Sequence, residues 1–287
     1  MKWRLIVLAA SALFALGGYW SEKMHDISGP QRAGGRSPFA LIPQLLMLWR
    51  SPLAGITKKS AALALIFGIH LWTYFTGLIL IHQAIAMLLV SMGPMFVPLI
   101  DAGKALIHRK PIRIARRELI VAVILWVMVM TYLLLGGLTP NEQKGAALSL
   151  ATAFLWSLFM WVKTSNEERI TAVAIGNIAT FVVTLFSPGA FPAIMANIWW
   201  LAGMGLVSSG VPHGLLAWAR NKFENAEEPL MIQTIQPLLT FLIVGFAFPN
   251  KWPSKMVIFW GAGLLVILVG YSISKLREEK RLKAKVK

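Results

Sequence analysis

Two histidines lie deep in apolar sequence, His70 in LIFGIHLWTYFTG and His213 in SSGVPHGLLAWAR. An imidazole with its ordinary pKa of about 6.5 can take up or release a proton at physiological pH, and in apolar surroundings it must also find a polar partner. At helical spacings of three and four, His70 shares a face with Thr73, Tyr74 and Gly77, while His213 shares one with Ser209 and Arg220. Met87, Ser91, Pro94, Pro98 and Asp101 line up in the same way, as do Gln233, Gln236, Pro237 and Thr240. Of the twelve Trp, most belong near segment ends, where amphipathic rings settle at a membrane interface. Trp156 sits deeper, beside Thr152, and has the best claim to a polar interior. These residue types offer hydrogen bonds, aromatic faces and a proton site to a small polar solute. They also have a plainer use, bracing helices against one another, and spacing alone leaves both open.

Other chemistries find little support. There is no HExxH, no GxSxG and no pair of acids at a metal spacing, and the absence of Cys removes thiolate ligands, Cys nucleophiles and disulfides together. We therefore expect no enzyme, no metal and no cofactor. The class to weigh against this is an intramembrane lipid-modifying enzyme using His70 or His213 as base, or a lipid translocator with a polar groove open to the bilayer. Asp101 is the one acid well inside an apolar segment, and Lys104 three residues on is placed to form a helical ion pair with it.

The elements that must carry these residues follow from bulk composition. Of 287 residues, 57% are hydrophobic and the mean hydropathy is +0.66, against roughly 45 to 50% apolar residues in a soluble domain. A helix needs roughly 20 apolar residues to cross about 30 Å of hydrocarbon, where its backbone has no water to bond. Ten such segments are expected near residues 3–20, 38–56, 61–80, 84–106, 118–138, 146–163, 170–187, 194–218, 229–248 and 255–274. The fold class predicted is an all-α membrane protein.

Charge placement supports the count. If the segments alternate across the membrane from a cytoplasmic N-terminus, 22 of the 28 Lys and Arg fall on the cytoplasmic side. That asymmetry is the positive-inside pattern. It predicts a multi-pass protein of the cell (inner) membrane with both termini in the cytoplasm. The net charge of +16 thus reports topology and attraction to anionic lipid rather than nucleic-acid binding. The longest external loop, SEKMHDISGPQRAGGRS, reads as mobile. MKWRLIVLAASALFALGG also has the outline of a signal peptide, but its partner in the second half, AALSLATAFLWSLFMWVK, favours a retained first segment.

The chain also carries a repeat. Sliding it by 143 residues without a gap places His70 on His213, Pro94 on Pro237 and Ser91 on Thr234. We expect a first five-helix repeat at 1–140, a second at 141–275 and a basic cytoplasmic tail at 276–287. Five helices per half turn the second copy upside down, which makes the repeats inverted.

Within this frame, WSLFMWVK at 156–163, AIAMLLVSMGPMFVPLI at 84–100 and WGAGLLVILVGY at 260–271 resemble segments of the drug/metabolite transporter superfamily, and within it the EamA-type ten-helix exporters. The chain departs from the family pattern where the fourth segment closes on His108 and Arg109 without a preceding Glu. The resemblance implies inverted repeats around a cavity and movement of a small metabolite by alternating access. Physics common to such transporters places the substrate between the repeats near mid-membrane. The expected cavity residues are His70, Thr73, Tyr74, Met87, Ser91, Trp156, Ser209, His213, Gln233 and Gln236, with Pro94 and Pro237 as hinges. The expected substrate is a small polar metabolite, an amino acid or related amine moved outward. Its other partners would be the lipid bilayer and, if the histidines carry them, protons. The working unit would be a monomer or weak homodimer.

Overall fold

The computed structural model describes residues 2–49, 55–111, 116–135, 137–224, 226–251, 258, 261–271, 273–274 and 277. The expected basic tail at 276–287 lies outside the described residues apart from position 277. Among the described residues the chain is helical without strands.

The order is α1 (Lys2–Lys23), α2 (Gly29–Gly35), α3 (Ser37–Leu48), α4 (Lys58–Leu80), α5 (Gln83–Val90), α6 (Gly93–Ile107), α7 (Arg116–Leu135) and α8 (Pro140–Trp161). There follow α9 (Asn166–Leu185), α10 (Ala190–Ala196), α11 (Ile198–Gly205), a π-helical turn (Leu206–Gly210), α12 (Val211–Arg220), α13 (Glu227–Gln233), α14 (Gln236–Ala247) and α15 (Gly261–Tyr271).

Local sequence explains where several of these helices begin. Thr57 with Ser60, Thr139 with Glu142 and Ser165 with Glu168 form reciprocal capping boxes, so α4, α8 and α9 each start with their first amide groups satisfied. Among the described residues five helices, counting α5–α6 and α13–α14 as one each, are long and apolar enough to cross a membrane. The count is six if the pair Ala190–Ala196 and Ile198–Arg220, bent by 80°, is a single span. Large apolar side chains stand exposed all around the outside, among them Trp49, Leu134, Phe186, Trp199 and Phe246. A soluble monomer rarely shows so much contiguous apolar surface, whereas a bilayer covers it.

Small residues let the helices approach. α4 packs against α8 and α9. At that seam a Cβ on Gly145 would come within 2.9 Å of Leu80, and one on Gly176 within 2.8 Å of the Phe67 ring. Close backbone approach through small residues is how helices gain dispersion energy where apolar burial supplies no drive. Phe67, Phe159, Leu63, Leu71 and Met160 fill the space between and are fully buried.

Three sequence readings need correction. The stretch expected to be a mobile external loop is a buried, capped helix: Ser28 and Gln31 form a capping box at the start of α2, and Gln31 reaches the Pro188 carbonyl at 3.1 Å. Its glycines make this docking possible, since a Cβ on Gly34 would fall 2.1 Å from the Thr184 hydroxyl oxygen and one on Gly29 2.5 Å from the Thr76 backbone. The eighth apolar segment is not one straight helix but the bent run α10 to α12. The fourth and ninth segments are each interrupted, α5 ending at Val90 with α6 starting at Gly93, and α13 ending at Gln233 with α14 starting at Gln236. Both interruptions lie 143 residues apart at each edge, immediately before Pro94 and Pro237. A prolyl ring has no N–H to give to the preceding turn, so it sits well in the first turn of a new helix and badly inside an old one.

Candidate functional site

Six regions of the chain converge on one partly enclosed cavity. α4 supplies His70, Tyr74 and Phe75, and α8 supplies Trp156. α1 contributes Phe14 and Gly17, while the π-helical turn and α12 contribute Ser208, Ser209 and His213. The two interrupted helices present their broken ends, Ser91 and Pro94 from one and Gln233 and Gln236 from the other. Residues far apart in sequence meet here because each sits on a polar stripe or a helix break that has no better place than the interior.

The histidines face each other with ring centroids 6.4 Å apart and planes at 81°. Trp156 stacks on His70 at 5.1 Å and meets His213 edge-on at 5.5 Å, and the rings of Phe14 and Phe67 pack on His213 at 4.6 and 4.9 Å. Each imidazole is held by a backbone carbonyl: His70 Nδ1 lies 3.3 Å from Thr152 O, and His213 Nδ1 lies 2.7 Å from Ser209 O. A carbonyl can only accept, so Nδ1 carries the hydrogen in both rings, and in the neutral form Nε2 is left as an acceptor. The bracing and cavity-lining readings of the histidines are thus compatible, because one ring edge does each. Trp156 Nε1 donates to Gln233 Oε1 at 3.0 Å, linking α8 to the broken end of α13.

Among the described residues, no Asp, Glu, Lys or Arg lines this cavity. Immediately behind it, however, lies a buried polar group of which the sequence reading had no notion. Arg36, between α2 and α3, is fully buried. Its guanidinium donates to Ser209 Oγ and, at 3.3 Å, to Asn177 Oδ1, and it lies 5.0 Å from the centroid of Phe75. Asn177 in turn accepts from Ser37 Oγ at 3.2 Å and donates to Gln44 at 3.1 Å. The available sequence signal was the setting GGRSP, where two glycines let an Arg be drawn against neighbouring helices. Ser208, Phe14 and Phe75 were also missed. For Ser208, the cause is the π-helical turn, which adds a residue to one helical turn and rotates the face, an irregularity common at functional sites.

Three expected site residues lie elsewhere. Thr73 braces α4 against α8, accepting from Thr152 Oγ1 at 2.9 Å. Met87 is buried beside the cavity, its sulfur accepting from the Tyr74 hydroxyl at 3.3 Å. Pro237 borders a separate, apolar gap with Leu88, Phe241 and Leu265. The expected ion pair between Asp101 and Lys104 is also replaced. Both side chains meet Trp161, Asp101 accepting its indole N–H at 2.8 Å and Lys104 lying 5.1 Å over its ring. These residues, with Lys163, Arg220 and Glu224, line a second polar cavity farther along α6 and α8. Among the described residues, no group of three or more His, Asp or Glu is placed to hold a metal ion.

No family model matches this chain, and no curated protein matches it. A solved structure described only as "Crystal structure of protein" is similar, with a TM-score of 0.65 at 14% sequence identity over 94% of this chain and 96% of that one. At that identity the likeness is one of fold.

Proposed function

We propose that this chain is a secondary transporter that moves a small polar metabolite, of the amino acid or related amine class, across the cell (inner) membrane by alternating access. In this reading residues 1–140 and 141–275 are two inverted five-helix repeats spanning the membrane ten times, with both termini in the cytoplasm. This is the architecture implied by the resemblance to EamA-type exporters.

The observation that carries the reading is the cavity itself. Both broken helices end on it, their breaks fall at the same register 143 residues apart, and His70 and His213 meet across it. Discontinuous helices at a cavity between repeats are where secondary transporters bind their solute, because unwound turns leave backbone groups free for a ligand. Pro94 and Pro237 give each broken helix a flexible joint, which suits a rocking motion of one half on the other. With no carboxylate at the cavity among the described residues, the imidazoles are the groups available to exchange a proton with a transported solute.

The test is solute uptake by proteoliposomes loaded with unlabelled amino acids, assayed with labelled amino acids outside, with and without a pH gradient. Counterflow above that of protein-free vesicles is expected. Failure to move any amino acid, or any related amine assayed in the same way, under either condition would overturn the transporter reading.

A further inference from the structure

The cavity is uncharged on its walls and charged just behind one of them. Among the described residues Arg36 has no carboxylate partner, and its side chain uses two of the five N–H donors of a guanidinium, one to Ser209 Oγ and one to Asn177 Oδ1. Its Nε–H, fully buried, has no partner at all. A buried cation without a counter-ion is costly, so an anion brought within reach gains what the protein does not supply.

The wall between that cation and the cavity is the π-helical turn. Ser209 Oγ receives a donor from Arg36 and lies 3.3 Å from His213 Nδ1, the nitrogen that carries the ring hydrogen. With the Arg36 donor aimed at its oxygen, and the His213 Nδ1 hydrogen already held by the Ser209 carbonyl at 2.7 Å, the hydroxyl is left with its own hydrogen to give, and Ser209 lines the cavity. Its neighbour Ser208 also lines the cavity, and its buried hydroxyl makes no hydrogen bond. A helical Ser usually returns its hydrogen to the carbonyl four residues back, as Ser11, Ser149 and Ser157 do here. Ser208 does not, and remains an unspent donor facing the same space.

We propose that the Ser208 and Ser209 hydroxyls, backed by the Arg36 guanidinium, form a carboxylate-binding subsite at this end of the cavity. The ligand it fits is a small carboxylic acid whose apolar or aromatic body rests among Phe14, Phe75 and Trp156. Calling that ligand the substrate rests on the transporter reading, which the subsite narrows: amino acids and organic acids qualify, amines without a carboxylate do not. Arg36 acts here as a positioning residue, since it reaches the ligand through Ser209.

Equilibrium binding to the purified full chain in detergent tests this. Labelled phenylacetate and L-phenylalanine are the probes, and phenylacetamide and phenethylamine, which keep the ring and lose the carboxylate, are the competitors. The acids are expected to bind, with the amide and the amine at least about tenfold weaker, since a hydrogen bond to a charged group contributes about that factor or more. Ser208→Ala removes a hydroxyl that bonds nothing in the protein, so it should leave Tm unchanged while weakening acid binding about tenfold. Arg36→Gln should erase the preference for acid over amide, and Arg36→Lys should restore part of it. The proposal is overturned if amide or amine competes as well as the acid, if neither acid binds, or if Ser208→Ala binds phenylacetate like the parent. An acid held in detergent but not carried by proteoliposomes would end the transporter reading and leave the subsite standing. Transport of an amine with no affinity for acids would do the reverse.

Discussion

The two helices that carry the histidines differ more than their sequence positions suggest. α4 runs unbroken for 23 residues, whereas the stretch around His213 is split into α10, α11, a π-helical turn and α12, with an 80° bend at its start. Composition accounts for much of this: three glycines and Pro212 crowd GMGLVSSGVP, while the matching positions of α4 hold Ser60, Ala62, Phe67 and Ile69. The positions of α4 that correspond to Ser208 and Ser209 are Leu65 and Ile66, and the counterpart of Arg36 is Ala179. Two regions with one pattern of imidazole and proline therefore offer different chemistry. The matching positions supply the histidines and the breaks, and the unmatched ones supply the buried cation and the free hydroxyls.

The largest expected break in this comparison comes from glycine. A Cβ on Gly205 would lie 2.4 Å from the Arg36 carbonyl oxygen and 2.6 Å from Phe39, whereas one on Gly68 of α4 would lie 3.6 Å from its nearest neighbour. Gly205→Ala should cost about 1 to 3 kcal/mol or more through overpacking, seen as a lower Tm or loss of folded protein. Gly68→Ala should leave Tm unchanged or raise it, because alanine is the better helix former. Equal behaviour of the two would mean that the seam at Gly205 is looser than described.

Next come the histidines themselves. His213→Ala should weaken acid binding more than His70→Ala, by about tenfold or more, because His213 contacts Ser209 through both its hydroxyl and its carbonyl, whereas His70 is held by the Thr152 carbonyl. A larger loss from His70 in the same binding assay would reverse the ranking of the two sides. The prolines sharpen the comparison on the kinetic side. If the two breaks act as joints, Pro94→Ala and Pro237→Ala should each slow uptake a few-fold, and only Pro94→Ala should also change affinity, since Pro94 lines the cavity and Pro237 lines the apolar gap. Unchanged rates in both would remove the joints from the account. A smaller effect is expected of Trp156→Phe, which keeps the stacked ring and loses the bond to Gln233, for about 1 kcal/mol of stability. Trp161→Phe, at the exposed bond to Asp101, should cost less by the same thermal measurement.

How far the site could be read from sequence depended on the regularity of each helix. His70, Tyr74 and Trp156 lie on long regular helices, and their shared faces follow from spacing. Thr73 has that spacing too, but its hydroxyl gives its hydrogen to its own helix and accepts from Thr152, which no periodicity reveals. Ser208 falls on a π-helical turn, where a count of three and four fails. Arg36 was missed for a different reason: a stretch dense in Gly, Pro and charge reads as loop, and only the neighbours of Gly29 and Gly34 show that those glycines dock a buried helix.

By itself, the sequence determined that the chain is helical with several apolar, membrane-compatible segments, and it marked which faces are polar. Those properties follow from composition and from local periodicity, which act within a few residues of chain. The tertiary structure decided where the segments break, that the Gly-rich stretch is buried, and that a lone guanidinium stands behind a cavity with neutral walls. These depend on which surfaces meet across the bundle, and a buried charge finds its partners in space rather than in sequence.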